Sequence, residues 1–490
     1  MTQTPTGNTT GTAQVPAPVP GQARGHQGAP AHPLPPAAHA PRRAAWRESL
    51  TRVRAAATTE PGRLRVVGAV LAVVVVAFGA VTAWQVAERQ SAAGNVIDHS
   101  GPLSANAAEI YRSLADADAT VAGGFLVGGE EPKAVSDRYQ RDITTAAELI
   151  ADAAANSAGS KEARTQIAAL NSQLPHYTEL VATAQADNRQ GLPLGGAYLR
   201  YADQQMRKQG GLLDAADKLY QAENGRLGAD YADAKALPYA SWALGVIALG
   251  TLVWAQRRHY RRTNRVFNQG MLTATAATSV VLLWLVAAHT VARTDLADSY
   301  HHGAQSMQVL NNARTDVLQA RGDENLTLVA RGSGDAYEES FSKEMDALAG
   351  PAAGDRAGRG SELAQALALA DKEAGRAPVR SAIANVAEWR QRHTEERSAD
   401  DSGDYTTAVA EVIGGKKSSG ATVTETTAQT FDAVDTSLGK AVAQEQKEFH
   451  QAATDGRGAL ALLPVGAGVL ALLAAGAAVI GVGRRLSEYR

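Results

Sequence analysis

Five arginines share one short basic segment, residues 256–270, which lies between two apolar runs. They are Arg257, Arg258, Arg261, Arg262 and Arg265. Guanidinium groups at this density could bind an acidic or phosphorylated partner. They could equally anchor the neighbouring spans, because lysine and arginine accumulate on the cytoplasmic side of a membrane. The same two roles apply to Arg484 and Arg485. Both alternatives stay open, and the orientation rule alone favours anchoring.

The sequence offers no convincing arrangement of residues for catalysis or for a metal. His301 and His302 are neighbours, and neighbouring residues point to different helix faces, so we expect solvated side chains rather than ligands. Two acidic pairs are likewise expected on solvated faces. They are Asp116 with Asp118 and Glu338 with Glu339. Residues 414–418 lack the GxxxxGK[ST] spacing of a phosphate-binding loop, and no cysteine is present. We therefore expect no enzyme, no cofactor and no metal.

Four apolar runs set the positions of these segments. In a chain of 490 residues with a formal net charge of −2, the runs cover residues 66–84, 239–254, 272–289 and 459–482. Each approaches or exceeds the roughly 17–25 residues that cross a bilayer as a helix, and none has a charge in its middle. Arginines crowd before the first run, while acidic residues lie mostly between runs. This segregation is typical of a membrane protein and argues against nucleic-acid binding.

The chain is therefore predicted to be an all-α integral membrane protein with four transmembrane helices in two tandem units, each a span, a four-helix bundle and a second span. Basic groups flank the spans so that both termini are expected in the cytoplasm, with the protein in the cell membrane. The predicted order is a disordered, Pro-rich and basic cytoplasmic tail (1–62), a span (63–84), extracytoplasmic bundle 1 (85–237), a span (238–255), the basic cytoplasmic loop (256–270), a span (271–290), extracytoplasmic bundle 2 (291–458), a span (459–483) and a cytoplasmic tail (484–490).

The two bundles are predicted to be copies of one module. Aligning Leu126 with Leu328 places Tyr139 opposite Phe341 without a gap. In the first copy, apolar residues alternate spacings of four and three, which indicates a seam of the coiled-coil type. Its members are Leu103, Ala107, Ile110, Leu114, Ala117 and Val121.

Interruptions in the helical pattern are expected at three places. The first helix of bundle 1 is expected to kink at Gly101–Pro102, and the third helix of bundle 2 to break near Ala377–Pro378. Residues 414–420 are expected to form a bulge or a loop. By contrast, the fourth helix of bundle 1 is expected to run from about Ala197 through Leu219 toward its span.

With this layout, each outer bundle resembles the four-helix-bundle sensor domains of bacterial chemoreceptors and sensor kinases. The duplicated arrangement, with RRHYRRTNRVFNQG (257–270) between the inner spans and RRLSEYR (484–490) after the last, is similar to GlnX-type membrane relay proteins. The resemblance implies two partners, an extracytoplasmic amino-acid-binding lipoprotein, GlnH, and the soluble Ser/Thr kinase PknG. It assigns no ligand-contacting residue.

The sequence thus favours transmembrane signal relay, in which a partner docking on the outer bundles moves the span helices and repositions the basic loop. The alternative is a structural or scaffolding membrane protein of the cell envelope or of a secretion complex. Small residues spaced by four in the spans, such as Ser241 with Gly245 and Ala467 with Ala471, indicate close packing within the chain or in a homodimer. Membrane lipid surrounds the spans in either case.

Overall fold

The computed structural model describes residues 60–129, 131–157, 159–263, 268–351 and 356–486. The N-terminal tail that is predicted to be disordered lies outside the described residues up to residue 59. Arg265 and residues 487–490 also lie outside them, and so do the side chains of Arg262 and Arg485.

Four helices in the described part of the chain are long and apolar enough to cross a membrane. Numbering all helices in chain order, these spans lie in α1 (Glu60–Asn95), α7 (Tyr239–Thr263), α8 (Gln269–Asp298) and α15 (Leu463–Leu486). Nearly all other described residues are helical as well. The predicted all-α membrane fold is confirmed.

The spans pack together through small residues. A Cβ added to Gly79 of α1 would overlap the Cβ of Ala471 on α15. A Cβ added to Gly245 of α7 would lie 2.9 Å from the ring of Phe78 and 2.8 Å from Leu282. Side chains larger than glycine would push these helices apart, so the small residues allow close contact inside one chain.

Bundle 1 follows the first span. Its helices are α2 (Gly101–Val127), α3 (Lys133–Asn156), α4 (Lys161–Arg189), α5 (Leu194–Arg207) and α6 (Leu212–Lys235). All six members of the seam on α2 are buried. The prediction of one continuous fourth helix is wrong, because the chain breaks between α5 and α6. Gly210 has a φ of 76° there, and a Cβ on Gly211 would lie 2.6 Å from the Gln205 carbonyl oxygen. Only glycine fits both positions without strain.

Bundle 2 follows the third span. Its helices are α9 (Gln305–Val329), α10 (Asp335–Ala349), α11 (Glu362–Leu369), α12 (Glu373–Asp401), α13 (Tyr405–Ile413) and α14 (Thr427–Ala459). The break predicted near Ala377–Pro378 lies instead at residues 370–372. Pro378 is only the sixth residue of α12, where its ring affects little more than the first turn. Residues 414–420 contribute to a short hairpin of β1 (Gly415–Lys416) and β2 (Thr422–Val423).

Two π-helical turns join spans to bundles at corresponding positions of the two copies. Val96–Ser100 joins α1 to α2, and Ser299–Ala304 joins α8 to α9. The kink expected at Gly101–Pro102 therefore takes the form of a wider turn, a feature that often marks functional sites. The outgoing helices run from span to bundle without a break. The returning helices are interrupted at residues 236–238 and 460–462.

The bundles pack against each other through their first helices, α2 and α9. Asn325 Nδ2 on α9 donates to the Ala119 carbonyl on α2 at 3.1 Å. Gln319 Nε2 on α9 donates to the Tyr111 hydroxyl on α2 at 2.6 Å. Residues 320–328 of α9 are all buried, because neighbouring helices cover this helix on every side.

Candidate functional site at the interface between the bundles

Arg207 of α5 reaches from bundle 1 into bundle 2. Its Nη1 donates to Asp323 Oδ1 on α9 at 2.7 Å, and its Nη2 donates to the Gln319 carbonyl at 3.2 Å. Within bundle 1, its Nε lies 2.8 Å from Asp203 Oδ1. A Cβ on Gly322 would overlap the guanidinium, so glycine at this position makes the approach possible. One arginine thus ties together helices of both bundles.

The carboxyl groups around Arg207 outnumber it. They are Asp118, Asp203, Asp323 and Glu344, and all four are buried. Burial raises the pKa of Asp203 to about 8 despite the attraction of Arg207. Burial and the charge of Asp323 raise the pKa of Glu344 to about 9. One guanidinium cannot neutralise four carboxylates, so the cluster retains protons near neutral pH. Its protonation is therefore linked to contact between the bundles.

Arg138 of α3 forms a second link between the bundles. Its Nη2 donates to Asp116 Oδ1 on α2 at 2.8 Å, and its Nη1 donates to Asp432 Oδ1 on α14 at 3.2 Å. The guanidinium carbon lies 5.8 Å from the ring centre of Phe431. Charge-assisted hydrogen bonds of this kind fix direction as well as distance. They hold α3 of bundle 1 to α14 of bundle 2.

The core of bundle 2 contains a buried charged network centred on Glu324. Its carboxylate binds Arg321 and accepts a hydrogen bond from Trp389 Nε1 at 3.0 Å. His393 Nδ1 lies 3.1 Å from Glu324 Oε1, and His393 Nε2 lies 3.1 Å from Glu338 Oε2. Burial lowers the pKa of His393, but the two carboxylates outweigh burial and raise it to about 9. The imidazole is therefore cationic at neutral pH.

Beside the spans, the two π-helical turns meet around Phe449 of α14. A Cβ on Gly101 would lie 2.9 Å from Phe449 Cζ, and a Cβ on Gly303 would lie 2.8 Å from Phe449 Cβ. Ser299 Oγ donates to the Phe449 carbonyl at 3.0 Å, so the Tyr231 hydroxyl must be the donor in its 2.5 Å contact with Ser299 Oγ. We call this group the junction; it connects α6, α14 and both outgoing helices. Its members are Gly101, Tyr231, Ser299, Gly303 and Phe449.

Two clefts flank the contact between α2 and α9. The first has a volume of about 430 Å³, and its walls come mainly from α2, α6, α9 and α11. The second has a volume of about 340 Å³, and its walls come mainly from α2, α3, α9 and α14. Small-molecule sites in proteins commonly occupy roughly 300–1,000 Å³. Each cleft is therefore large enough for a small solute held by both bundles at once.

Of the arginines singled out from the sequence, those whose side chains the structure describes lie at the end of the spans away from the bundles. Arg257, Arg258 and Arg261 are exposed at the end of α7, and Arg484 is exposed near the end of α15. Arg258 packs on Trp254, with 5.3 Å from guanidinium carbon to ring centre. A Cβ on Gly270 would lie 2.7 Å from Gly481 Cα, so α8 begins in close contact with the end of α15. The described parts of the two basic segments therefore lie at the same end of the spans.

Several interface residues were not identified from the sequence. Asp116 and Asp118 were expected on a solvated face, but each is only 4% exposed, so that prediction is wrong. Asp116 is buried against α3, where Arg138 binds it, whereas Asp118 is buried on another side of α2, where α4, α5 and α9 cover it. The sequence spacing did indicate that Asp118 is buried, because it follows Leu114 of the buried seam by four residues and therefore lies on the same face of α2. His301 is exposed, as expected.

Residues 92–232 match the family model of the actinobacterial sensor domain. The matched region begins near the end of α1, includes the first π-helical turn, and ends in α6. Comparisons with curated proteins and with solved structures find no match. A sensor domain joined to four helices able to cross a membrane defines a multi-pass, sensor-type membrane protein.

Proposed function

We propose that this protein relays a signal across the cell membrane. In this proposal, an extracytoplasmic solute or solute-binding protein acts on the two bundles, and a cytoplasmic Ser/Thr kinase responds to the basic segments. The chain itself performs no catalysis. The sensor-domain match supports the input role, and the resemblance to GlnX-type relay proteins supports the choice of partners.

The single observation that carries the proposal is the continuity of the outgoing helices. The helix of each outgoing span passes through a π-helical turn directly into the first helix of a bundle, and Phe449 contacts both Gly101, which follows the first turn, and Gly303 of the second turn. A shift at the interface between the bundles therefore has a direct path to two spans. Displacements of about 1–2 Å are sufficient in helical switches whose packing has two arrangements.

The proposed orientation puts the bundles outside the cell and both termini in the cytoplasm. Arg63 and Arg65 precede the apolar run of the first span, and the side chain of Val482 lies 3.4 Å from a Cβ placed on Gly68. The start of α1 therefore lies beside the end of α15 and its Arg484. Basic residues before the first span, between the inner spans and after the last span share one end, as the positive-inside rule requires of a cytoplasmic face.

The proposed input surface includes apolar side chains at the end of bundle 1 farthest from the spans. Val127, Leu192, Leu194 and Tyr201 are all exposed there. The proposed output surface consists of the exposed arginines at the opposite end, which would contact an acidic or phosphorylated segment of the kinase.

Site-specific photo-crosslinking in cells tests both surfaces. A crosslinking residue at Tyr201 should capture a solute-binding lipoprotein, and one at Arg261 should capture a Ser/Thr kinase. Ser172, exposed on the same bundle, is the control position for the first experiment. Recovery of envelope-assembly proteins alone at both positions would contradict relay and favour a scaffolding role.

A further inference from the structure

The first cleft has walls from both bundles. The side chains of Tyr111 on α2 and Tyr220 on α6 line it on the side of bundle 1, and Asp316 on α9 and Glu362 on α11 line it on the side of bundle 2. Its volume of about 430 Å³ accommodates a solute of the size of an amino acid or a short polyamine.

The arginines of this cleft are already engaged by carboxylates. Arg112 Nη2 lies 2.7 Å from Glu109 Oε1, and Arg314 Nη2 lies 2.9 Å from Asp435 Oδ1. Arg207 binds the buried acidic cluster described above. An anionic solute would have to displace these partners, which costs more than an exposed ion pair because the arginines are partly buried. The cleft is therefore a poor site for an anion.

Asp316 and Glu362 are two acidic wall residues that form no ion pair with any described lysine, arginine or histidine. Their carboxyl groups are close enough to share a proton, and Glu362 Oε2 is buried with no hydrogen-bond donor among the described residues. Burial raises the pKa of Asp316 to about 6, while its hydrogen bond with Glu362 and the charge of Lys343 on α10 lower the pKa only in part. Burial and the neighbouring Asp316 raise the pKa of Glu362 to about 8. A cation placed between the two carboxyls would replace the shared proton.

A metal ion is a weaker occupant than an organic cation. The described residues contain no group of three side chains arranged to hold a metal, and hard cations need several oxygen ligands. An ammonium or amidinium group needs only hydrogen-bond acceptors and is also attracted to aromatic rings, which the two tyrosines supply.

We infer that the first cleft binds a small solute with a cationic amine, whose charged group lies between Asp316 and Glu362 and whose carbon chain contacts Tyr111 and Tyr220. Both bundles then contribute to one ligand. The inference rests on the proposed function, because such a solute would be the signal that the bundles detect.

Isothermal titration calorimetry on the full chain in lipid nanodiscs tests the inference. The probes are putrescine, lysine and spermidine, with succinate as the four-carbon probe of opposite charge. At least one amine should bind and release protons, which appears as an enthalpy that depends on the buffer. Binding should be tighter at pH 8 than at pH 6, because the proton and the amine compete for the same carboxyls.

Glu362→Gln keeps the shape of the side chain and should weaken amine binding by about tenfold, the effect of losing one charge-assisted hydrogen bond. Glu339→Gln, an exposed carboxylate on α10, is the matched control and should leave binding unchanged. Circular dichroism verifies that both variants fold. Failure of all three amines to bind, equal binding by Glu362→Gln, or a preference for succinate would each overturn the inference. The proposed relay fails separately, by absence of the expected crosslinked partners.

Discussion

Replacement of Arg207 by methionine should loosen the interface between the bundles locally. The substitution keeps most of the side-chain volume but removes contacts to Asp323 at 2.7 Å and to Asp203 at 2.8 Å. Breaking a buried ion pair costs about 3–5 kcal/mol, and Arg207 retains 19% side-chain exposure, so we expect the lower end, about 3 kcal/mol. This corresponds to a roughly 100-fold larger population of the state in which the helices that Arg207 joins are open.

Hydrogen–deuterium exchange of the protein in nanodiscs measures this opening. Amides of α5 and of residues 319–325 should lose protection, whereas the spans should not. Arg200→Met is the matched control, because Arg200 lies on the same helix and is exposed. Equal protection in the two variants would refute the assignment of Arg207 as the tie between the bundles.

The effect of Arg207→Met should also depend on pH. The folded-state pKa values of Asp203, about 8, and Glu344, about 9, lie above the roughly 4 of unfolded acids, so the folded protein binds more protons and loses stability as pH rises through this interval. Without the guanidinium, both pKa values rise further. The loss of amide protection in Arg207→Met, relative to the natural chain, should therefore be smallest near pH 5 and largest near pH 9. A loss that does not change with pH would show that the carboxyl groups around Arg207 do not hold protons as inferred.

Three further substitutions test other parts of the structure. Gly79→Leu should destabilise span packing by about 1–3 kcal/mol in thermal unfolding, whereas Gly250→Leu, which meets no atom within 4 Å, should be neutral; equal effects would reject the close contact. Protonated His393 should stabilise the fold fully below pH 6.5, and this stabilisation should be lost as pH rises through about 9. His393→Gln should therefore have a lower free energy of unfolding than the natural chain at neutral pH but not in alkaline buffer. A difference that is the same at every pH would show that His393 carries no charge in the folded protein. Tyr231→Phe should cost about 1 kcal/mol in the junction and speed amide exchange around Ser299, and unchanged exchange there would reject the hydrogen bond.

The helical framework could be predicted from the sequence because its signals are local. The spacing from Leu103 to Val121 identifies the buried face of α2 from residues within one helix. Span lengths and basic flanks are likewise read from adjacent residues. The break at Gly210 and Gly211 was missed because glycines inside a helical pattern do not by themselves reveal a positive φ.

The candidate site could not be predicted in the same way, because it depends on residues distant in the sequence. Arg207 and Asp323 are 116 positions apart, and neither lies in a recognisable motif. A charged side chain on a helix is normally solvated, and only the second bundle turns this surface into an interior. The junction around Phe449 escaped prediction for the same reason, since it joins four helices from both copies.

In the proposed relay, the interface between the bundles and the far ends of the spans move together. Spin labels at Arg65→Cys and Arg261→Cys report the separation of two span ends, and the natural chain contains no cysteine that would interfere. Electron–electron double resonance in nanodiscs should show that Arg207→Met moves the mean distance by about 1–2 Å or adds a second population, whereas Arg200→Met does neither. The relay would be contradicted if Arg207→Met exposes the amides of α9 to hydrogen exchange but leaves the distance distribution between the span ends unchanged.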